Sequence, residues 1–362
     1  MLGSFQEELV KIETEYHART PDFLQERIAE HGSKFVIFGA GAVGYSVAAT
    51  VSGLQERLVA FCDNFKTGYN EQFKIPIISP KQLLADYSKA QIIVAVNYLH
   101  SDSIYTQVIN MGFQPKNVFR LYSGYEIYDL KWLKSHYNGY EWAYRFFQDD
   151  LSRQIVLDRL RNYLYPFEMK CSPPEDQYFE KDVIQFTDHE VFVDGGFYTG
   201  DTALEFIKRM NGCYDAIYGF EPEERNYKKA KANLIQHQHV YIVNQGLWDK
   251  DERLRFLSGG SSSKVDCNGT DSISLTSLDY FFADKKKLPT FIKMDIEGAE
   301  KKALLGAEHI IRTVHPKLAI CVYHKPEDIY ELPQLIRGFY DGYRFALRHY
   351  SKGVVETVLY AV

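Results

Sequence analysis

Short apolar runs alternate with helical segments twice along the chain, first over residues 34–122 and again from residue 184 onward. Parallel neighbours in a sheet need a crossover of about a dozen residues, usually a helix, and this alternation supplies it. We therefore predict an α/β fold with two parallel sheets. The length of 362 residues also suggests about two domains.

The pattern predicts four parts: N-terminal helices at 1–32, a small Rossmann-like α/β domain at 33–125, a helical connector at 126–183 and a larger α/β domain at 184–362. In the last part, five strand–helix units are followed by two further apolar runs that flank Ser351-Lys352-Gly353. These two runs predict an antiparallel hairpin at the end of an otherwise parallel sheet.

Composition limits the partners and the location. The net charge is −6 with no basic block, which disfavours nucleic acid as a partner. The five cysteines are odd in number and form no CxxC pair, so free thiols in a reducing, cytoplasmic compartment are expected. We predict no signal peptide and no membrane span, because no apolar run approaches about 20 residues. Whether the chain forms a homo-oligomer is left open.

The first glycine loop, FVIFGAGAVGYS, has the complete spacing Gly39, Gly41 and Gly44 between a predicted strand and a helix. Asp63 ends the next strand, 19 residues after Gly44. Such a loop accommodates a pyrophosphate at the helix N-terminus, and the acid binds ribose hydroxyls. The sequence thus predicts a second nucleotide site, for NAD or a nucleotide-sugar. The alternative is that these glycines only pack helix against strand.

The second glycine loop, VFVDGGFYTGDT, has a carboxylate in front of its glycines, in the order Asp194, Gly196 and Gly200. A carboxylate at this point repels a pyrophosphate but attracts a sulfonium or an ammonium group. Glu221 ends the next strand, where it can accept hydrogen bonds from both ribose hydroxyls. Asn244, Gly246 and Leu247 follow the third strand and are expected to meet an adenine. The pattern favours S-adenosylmethionine.

Several motifs in order, VFVDGGFYTGDT, GFEPEERN, SLDYFF, FIKMDIEGAE and CVYHKPED, resemble the FkbM family of S-adenosylmethionine-dependent methyltransferases. The resemblance covers residues 184–362 and implies a class I methyltransferase sheet. It implies cofactor binding by Asp194, Gly196, Gly200, Thr202 and Glu221, and O-methylation of a sugar or polyketide-like acceptor. Phe197 departs from the family pattern, which has a small residue there, and is expected to reshape the pocket near the methionine end.

Candidate catalytic residues lie where the later strands end. Asp295 and Glu297 follow the fourth strand of the second domain, and His324 ends the fifth. Methyl transfer to an alcohol needs a base for its proton, and we rank His324 first, since its pKa matches neutral pH, then Asp295 and Glu297. Glu300 is interpreted as a helix-dipole residue. An acid-plus-His cluster could instead hold a divalent cation that acidifies the acceptor hydroxyl, but because no compact ligand spacing is present, we predict no metal site.

The sequence therefore predicts a methyltransferase that modifies a hydroxyl of a sugar, a glycan precursor or a natural-product precursor. Two alternatives remain at this point. One is an NAD(P)-dependent oxidoreductase that uses Gly39–Gly44. The other is a nucleotide-binding scaffold protein with a silent methyltransferase fold.

Overall fold

The computed structural model describes residues 2–19, 21–122, 128, 130–164, 169–257, 264–265, 271–351, 353 and 355–362. These residues form two compact units, one drawn from 1–135, 157–169 and 352–354 and the other from 136–156, 170–351 and 355–362. The bounds of the four parts predicted from the sequence stay a prediction.

The first unit has two N-terminal helices and then alternating strands and helices. Its helices are α1 (Phe5–Arg19), α2 (Pro21–Ala29), α3 (Ala42–Thr50), α4 (Pro80–Asp86) and α5 (Tyr98–Asn110). Its strands are β1 (Phe35–Phe38), β2 (Leu58–Cys62), β3 (Gly68–Asn70), β4 (Ile75–Ile78), β5 (Gln91–Val96) and β6 (Val118–Tyr122). They form one sheet in the order β3-β4-β2-β1-β5-β6, in which only the β3–β4 pair is antiparallel.

Local sequence explains these elements. All four residues of β1 are buried, as expected for a central parallel strand that is covered on both faces. Helix α4 begins with a capping box: Ser79 Oγ accepts from Gln82 N (3.3 Å), and Gln82 Oε1 accepts from Ser79 N (3.0 Å). Pro80 occupies the first helical position, where a missing backbone N–H removes no hydrogen bond.

Helices α6 (Leu130–Phe146) and α7 (Asp150–Leu164) each contain one of the points where the chain passes from one unit to the other. The second unit continues with α8 (Asp201–Arg209), α9 (Glu224–Leu234), α10 (Leu278–Phe282), α11 (Glu300–Leu305), α12 (Glu308–Val314) and α13 (Asp328–Phe339). Its strands are β7 (Val191–Gly195), β8 (Ala216–Phe220), β9 (Val240–Val243), β10 (Gly246–Leu247), β11 (Glu252–Leu257), β12 (Lys264–Val265), β13 (Asp271–Thr276), β14 (Phe291–Met294), β15 (Lys317–Cys321), β16 (Phe345–His349) and β17 (Thr357–Ala361).

The main sheet of the second unit has seven strands in the order β16-β17-β15-β14-β7-β8-β9. Strands β7, β8, β9, β14 and β15 are parallel, while β17 is antiparallel to both β15 and β16. This is the class I methyltransferase arrangement, and the predicted terminal hairpin is confirmed. The chain reverses its direction of travel across the sheet between β7 and β14, and ligands of open α/β sheets bind at such a point.

Aromatic side chains fill the core beside this reversal point. The rings of Phe192 and Phe291 stack with centroids 4.7 Å apart, and Phe206 of α8 lies 4.7 Å from Phe192. A smaller sheet, β10-β13-β11-β12, is inserted between β9 and β14 and was not predicted. No helix in the described ranges is long and apolar enough to cross a membrane. The four described cysteines, Cys62, Cys171, Cys213 and Cys321, are free, as predicted.

Candidate active site

The second glycine loop follows β7 directly and touches the end of β14. Gly196 has φ +76°, and a Cβ atom there would lie 1.8 Å from the carbonyl oxygen of Asp295. Gly200 has φ +83° and is the N-cap of α8. A Cβ atom there would lie 2.5 Å from Cδ1 of Leu234. These glycines are therefore required by the close approach of the protein's own chain, in addition to any room that they leave for a cofactor.

Asp194 forms a buried ion pair at the end of β7. Its carboxylate is fully buried, and Oδ1 lies 2.9 Å from Nζ of Lys293, which is also buried. Lys293 Nζ also donates to the carbonyl oxygens of Gly195 (3.2 Å) and Gly196 (3.0 Å). Lys293 thus balances the negative charge of Asp194, which the sequence analysis expected to attract a sulfonium or ammonium group. Its hydrogen bonds to the two glycine carbonyls also hold the glycine loop in place.

The pKa values of this pair keep both groups charged at neutral pH. Burial raises the pKa of Asp194 to about 6, and Lys293 opposes that shift. Burial alone would lower the pKa of Lys293, but Asp194 and Asp295 raise it above its ordinary value. An ionised carboxylate and an ammonium group therefore face each other in the protein interior, where solvent screens their attraction only weakly.

Glu221 connects the glycine loop to the end of β8. Its Oε2 accepts from Tyr198 N (2.8 Å) and its Oε1 accepts from Glu223 N (2.9 Å). Burial raises the pKa of Glu221 to about 7, and the two backbone amides oppose that shift. Each carboxylate oxygen retains a further lone pair, so the geometry is compatible with the predicted contact to ribose hydroxyls.

The other predicted cofactor residues lie around this edge. Asn244 Nδ2 donates to the carbonyl oxygens of Glu221 (2.9 Å) and Pro222 (3.2 Å), which holds the β9–β10 turn against the end of β8. Gly246 and Leu247 form β10 and are both buried. Thr202 lies in the first turn of α8. Their contacts with a cofactor stay a prediction.

Phe197 does not reshape the pocket as expected. Its side chain is 1% exposed and packs on the main chain of β8, where a Cβ on Gly219 would lie 2.2 Å from Cδ2 of the ring. The absent side chain at Gly219 makes room for the phenyl ring in the core. The departure from the family pattern is thus accommodated beneath the loop.

Asp295 is held at the tip of β14 by two tyrosines. Tyr178 Oη donates to Oδ2 (2.8 Å) and Tyr323 Oη donates to Oδ1 (2.9 Å). Burial would raise the pKa of Asp295, but Lys293, His324 and the two hydroxyls hold it below its usual value. Neither tyrosine was predicted; Tyr323 precedes His324 at the end of β15, whereas Tyr178 is 117 residues from Asp295 in sequence.

His324 lies among three carboxylates. Its Nδ1 is 3.0 Å from Glu300 Oε1, and its Nε2 is 3.5 Å from Asp295 Oδ1 and 3.6 Å from Glu297 Oε2. Burial alone would lower the pKa of His324, but the carboxylates, Glu300 foremost, raise it to about 9. The expectation of a pKa near neutrality is therefore wrong: with no cation beside it, the imidazole holds a proton on each nitrogen at pH 7 and lacks a lone pair with which to act as a base.

Glu297 and Glu300 differ although both follow β14. Glu297 has φ +56°, and 39% of its side chain is exposed. Despite that exposure, partial burial of the carboxyl raises the pKa of Glu297 to about 7. Glu300 is 1% exposed, and its Oε1 accepts from Ile296 N (2.9 Å) at the start of α11. Glu300 thus lies in the first turn of α11, the position of a helix-dipole residue, and also contacts His324.

The structure brings together a compact set of ligand atoms that the sequence did not reveal. One donor atom from each of Asp295, Glu300 and His324 lies within 4.8 Å of the other two. The sequence separations hid this cluster, since His324 lies just beyond the end of the neighbouring strand β15. We predicted no metal site because the candidate ligands are not closely spaced in the sequence. In the fold their donor atoms are close together, so sequence spacing is no argument against a metal site.

The first glycine loop uses its carboxylate differently. Asp63 Oδ2 accepts from Ala40 N (3.0 Å), and Oδ1 accepts from Phe65 N (2.9 Å) and Lys66 N (3.2 Å). A Cβ on Gly44 would lie 1.9 Å from the carbonyl oxygen of Gly39, whereas a Cβ on Gly41 would meet nothing within 4 Å. Gly44 therefore packs α3 on β1, and Gly41 alone faces open space.

Comparison with known proteins gives one family. Residues 194–345 match the methyltransferase FkbM domain, a range that begins at Asp194 and includes Asp295 and His324. No curated protein matches the sequence.

Among solved structures, Methyltransferase FkbM from Methylobacillus flagellatus KT has a TM-score of 0.76 at 21% identity, covering 98% of this chain and 99% of that one. At this identity the likeness shows a shared fold. An rRNA methylase from Streptococcus thermophilus has a TM-score of 0.34 at 14% identity, covering 53% of this chain and 96% of its own. Aeropyrum pernix fibrillarin, solved with bound S-adenosyl-L-methionine, has a TM-score of 0.32 at 13% identity, covering 52% and 76%.

Proposed function

We propose that the chain methylates a hydroxyl of a sugar, a glycan precursor or a natural-product precursor. The match of residues 194–345 to the methyltransferase FkbM domain supports an S-adenosylmethionine-dependent methyl transfer. The observation that carries the proposal is the cluster of ionisable side chains at the ends of β14 and β15. Asp295 N donates to the Gly195 carbonyl oxygen (3.1 Å), so this cluster lies directly beside the glycine loop.

The residues around the glycine loop fit the cofactor. Glu221 lies at the end of β8 with lone pairs left for the ribose hydroxyls, and Asn244 holds the next turn against it. The Asp194–Lys293 pair keeps the loop in place from below. S-adenosylmethionine supplies a methyl group on a sulfonium, which leaves readily, so the protein mainly aligns the acceptor with it.

The proton of the acceptor needs a base at the open side of the cluster. Of the three predicted catalytic residues, Glu297 has the most exposed side chain, at 39% against 23% for Asp295 and 9% for His324. With the cofactor bound, the acceptor oxygen would bond to the methyl carbon as the carbon–sulfur bond breaks, and the electron pair of that bond would stay on sulfur. The hydroxyl proton passes to the Glu297 carboxylate. Asp295 and His324 position the acceptor and Glu297.

Calorimetric titration with S-adenosylhomocysteine tests the cofactor site. The wild-type chain is expected to bind it, and Glu221→Ala to weaken binding at least tenfold, because both ribose hydroxyls lose a charged acceptor. Glu224→Ala, which removes an exposed acid in the first turn of α9, is the matched control and should bind as wild type. Equal affinity of Glu221→Ala and wild type would remove Glu221 from the site.

Mass spectrometry tests the acceptor class. Extracts of cells with and without the gene are incubated with the protein and with S-adenosylmethionine carrying a CD₃ group. Labelled sugars or glycan precursors are expected, whereas label only in proteins or nucleic acids would contradict the proposed substrate. Glu297→Gln should bind S-adenosylhomocysteine normally and lose transfer; unchanged transfer would remove Glu297 as the base.

The first unit has a weaker case for a ligand. A nucleotide, NAD or a nucleotide-sugar, at Gly39, Gly41, Gly44 and Asp63 stays a prediction, supported by the open space at Gly41. The three backbone amides on Asp63 leave its carboxylate fewer lone pairs for a ribose. Cytoplasmic location, which the free thiols favour, and the oligomeric state also stay predictions.

A further inference from the structure

The buried imidazole of His324 is surrounded by acceptors and makes no hydrogen bond. Its side chain is 9% exposed, and neither ring nitrogen has a hydrogen-bond partner, although three carboxylates lie within 3.6 Å. Glu300 Oε2, also buried, is likewise without a hydrogen bond. Buried polar atoms are almost always hydrogen-bonded, and exceptions point to an ion or a water that is required there.

The charges around the imidazole are unbalanced as well. Asp295, Glu297 and Glu300 bring three carboxylates to one imidazole. The two neighbouring lysines have other partners: Lys293 pairs with Asp194 (2.9 Å), and Lys325 Nζ donates to the Gly298 carbonyl oxygen (2.6 Å). A cation among these carboxylates would restore the balance.

We infer that Asp295, Glu300 and His324 bind a divalent cation of the Mg²⁺ or Mn²⁺ class. Their donor atoms lie within 4.8 Å of one another, close enough for one ion to contact all three. The ligating imidazole nitrogen releases its proton when the ion binds, since a metal takes the place of that proton. Two carboxylate oxygens and one imidazole nitrogen suit a hard to borderline ion, and a softer ion would be expected to have thiolate ligands. The cluster supplies three of about six ligands, which leaves positions for water and for oxygens of the acceptor.

The ion gives the proposed methyl transfer a second component, and this part of the inference rests on the proposed function. A hydroxyl bound to a divalent cation loses its proton more readily, and Glu297 lies beside the cluster to receive that proton. An acceptor with two neighbouring oxygens, as in a vicinal diol, would bind through both. The ion therefore selects for sugar-like acceptors over isolated alcohols.

Electron paramagnetic resonance with Mn²⁺ tests the site without any acceptor. The full chain, stripped of metal with a chelator and desalted, is titrated with MnCl₂, and loss of the free-ion signal is followed. One equivalent is expected to bind. Glu300→Gln keeps an acceptor for Ile296 N and should bind at least tenfold more weakly, whereas Glu308→Gln, an exposed glutamate of α12, should match wild type.

Pulsed resonance on bound Mn²⁺ gives a second readout. A ¹⁴N coupling from the imidazole is expected in wild type and should be absent in His324→Gln. If Mn²⁺ is not bound at millimolar concentration, or binds equally to wild type and Glu300→Gln, or shows no ¹⁴N coupling, the inference is overturned. S-adenosylhomocysteine binding is measured on the same samples. If the wild-type chain binds S-adenosylhomocysteine but not Mn²⁺, only the cation site is rejected. If it does not bind S-adenosylhomocysteine, the proposed function is rejected.

Discussion

The two glycine loops share a plan in sequence, a buried strand, then glycines, then a helix, but their polar groups have different partners. In the first loop, Asp63 accepts from the backbone amides of Ala40, Phe65 and Lys66, and the exposed Lys66 side chain donates to the Ala40 carbonyl oxygen (3.1 Å). In the second, Asp194 and Lys293 are buried as a charged pair, and Glu221 has a raised pKa. The loop with the complete glycine motif thus uses its carboxylate to bind backbone amides. The loop with the irregular motif lies beside buried charged groups, one of which has a raised pKa.

The largest difference between the loops should appear when each lysine is replaced. Lys293→Met leaves the Asp194 charge buried without its counter-ion, and we expect a loss of about 3–5 kcal/mol in the free energy of unfolding. Lys66→Met at the exposed position should cost less than about 1 kcal/mol. Urea unfolding of the full chain measures both. Similar values for the two variants would mean that the second loop is not the more strained one.

Alanine at the glycines compares the two backbones. Gly196→Ala places a Cβ 1.8 Å from the Asp295 carbonyl oxygen at φ +76°, and a loss of about 2–4 kcal/mol is expected. Gly41→Ala meets nothing within 4 Å, so stability should be unchanged. Thermal unfolding checks the pair. Gly41→Ala also sharpens the nucleotide question, because it should abolish binding of NAD or a UDP-sugar if either one lies on that loop.

Removing the carboxylate of the first loop should have a moderate effect. Asp63→Ala leaves three backbone amides without their acceptor, and a loss of about 1–3 kcal/mol is expected. Asp63→Asn keeps one acceptor oxygen and should recover part of that loss. Urea unfolding decides between a structural carboxylate and a ligand-binding one. A variant that unfolds like wild type but no longer binds a nucleotide would favour the ligand.

The smallest effect is the pH dependence of cofactor binding. Because the pKa of Glu221 is raised to about 7, the carboxylate is protonated below that pH and loses an acceptor for the ribose hydroxyls. Affinity for S-adenosylhomocysteine should therefore fall by up to about tenfold per unit as the pH falls below 7. Glu221→Gln should reduce this dependence. Calorimetry between about pH 5.5 and 8 measures it, and an unchanged slope in the variant would assign the titration to another group.

The raised pKa of Glu221 also makes the stability of the fold depend on pH. A carboxyl whose pKa is higher in the folded chain than in the unfolded one binds more protons when folded. Glu221 therefore makes the folded state less stable as the pH rises from about 4.5, the usual value, to about 7, and adds no further change above that.

The sequence predicted those features that depend on neighbours along the chain. The buried apolar runs predicted the central strands, and the strand ends placed Asp295, Glu297 and His324 at one edge. Strands β11 and β13, ERLRFL and DSISLT, were missed because their polar residues lack the apolar run of a central strand.

Contacts between distant segments could not be predicted in the same way. Tyr178 reaches Asp295 from a segment without periodicity, and no pattern in the sequence links the two. The protonation of His324 depends on its distance from Glu300, which is a consequence of how β15 pairs with β14. The sequence suggested which side chains carry charge, but their pKa values required the fold.

The position of Tyr178 in the chain affects where this domain can be joined to another in a gene fusion. The family match begins at residue 194, yet one of the two hydroxyls that hold Asp295 comes from before that point. A gene fusion that joined a foreign segment to residue 184 would carry the whole glycine loop and the cluster of acids, but only one of these two hydroxyls. The exchangeable module is therefore longer than its recognisable signature, and shuffling at the apparent boundary would produce proteins with a loosened Asp295.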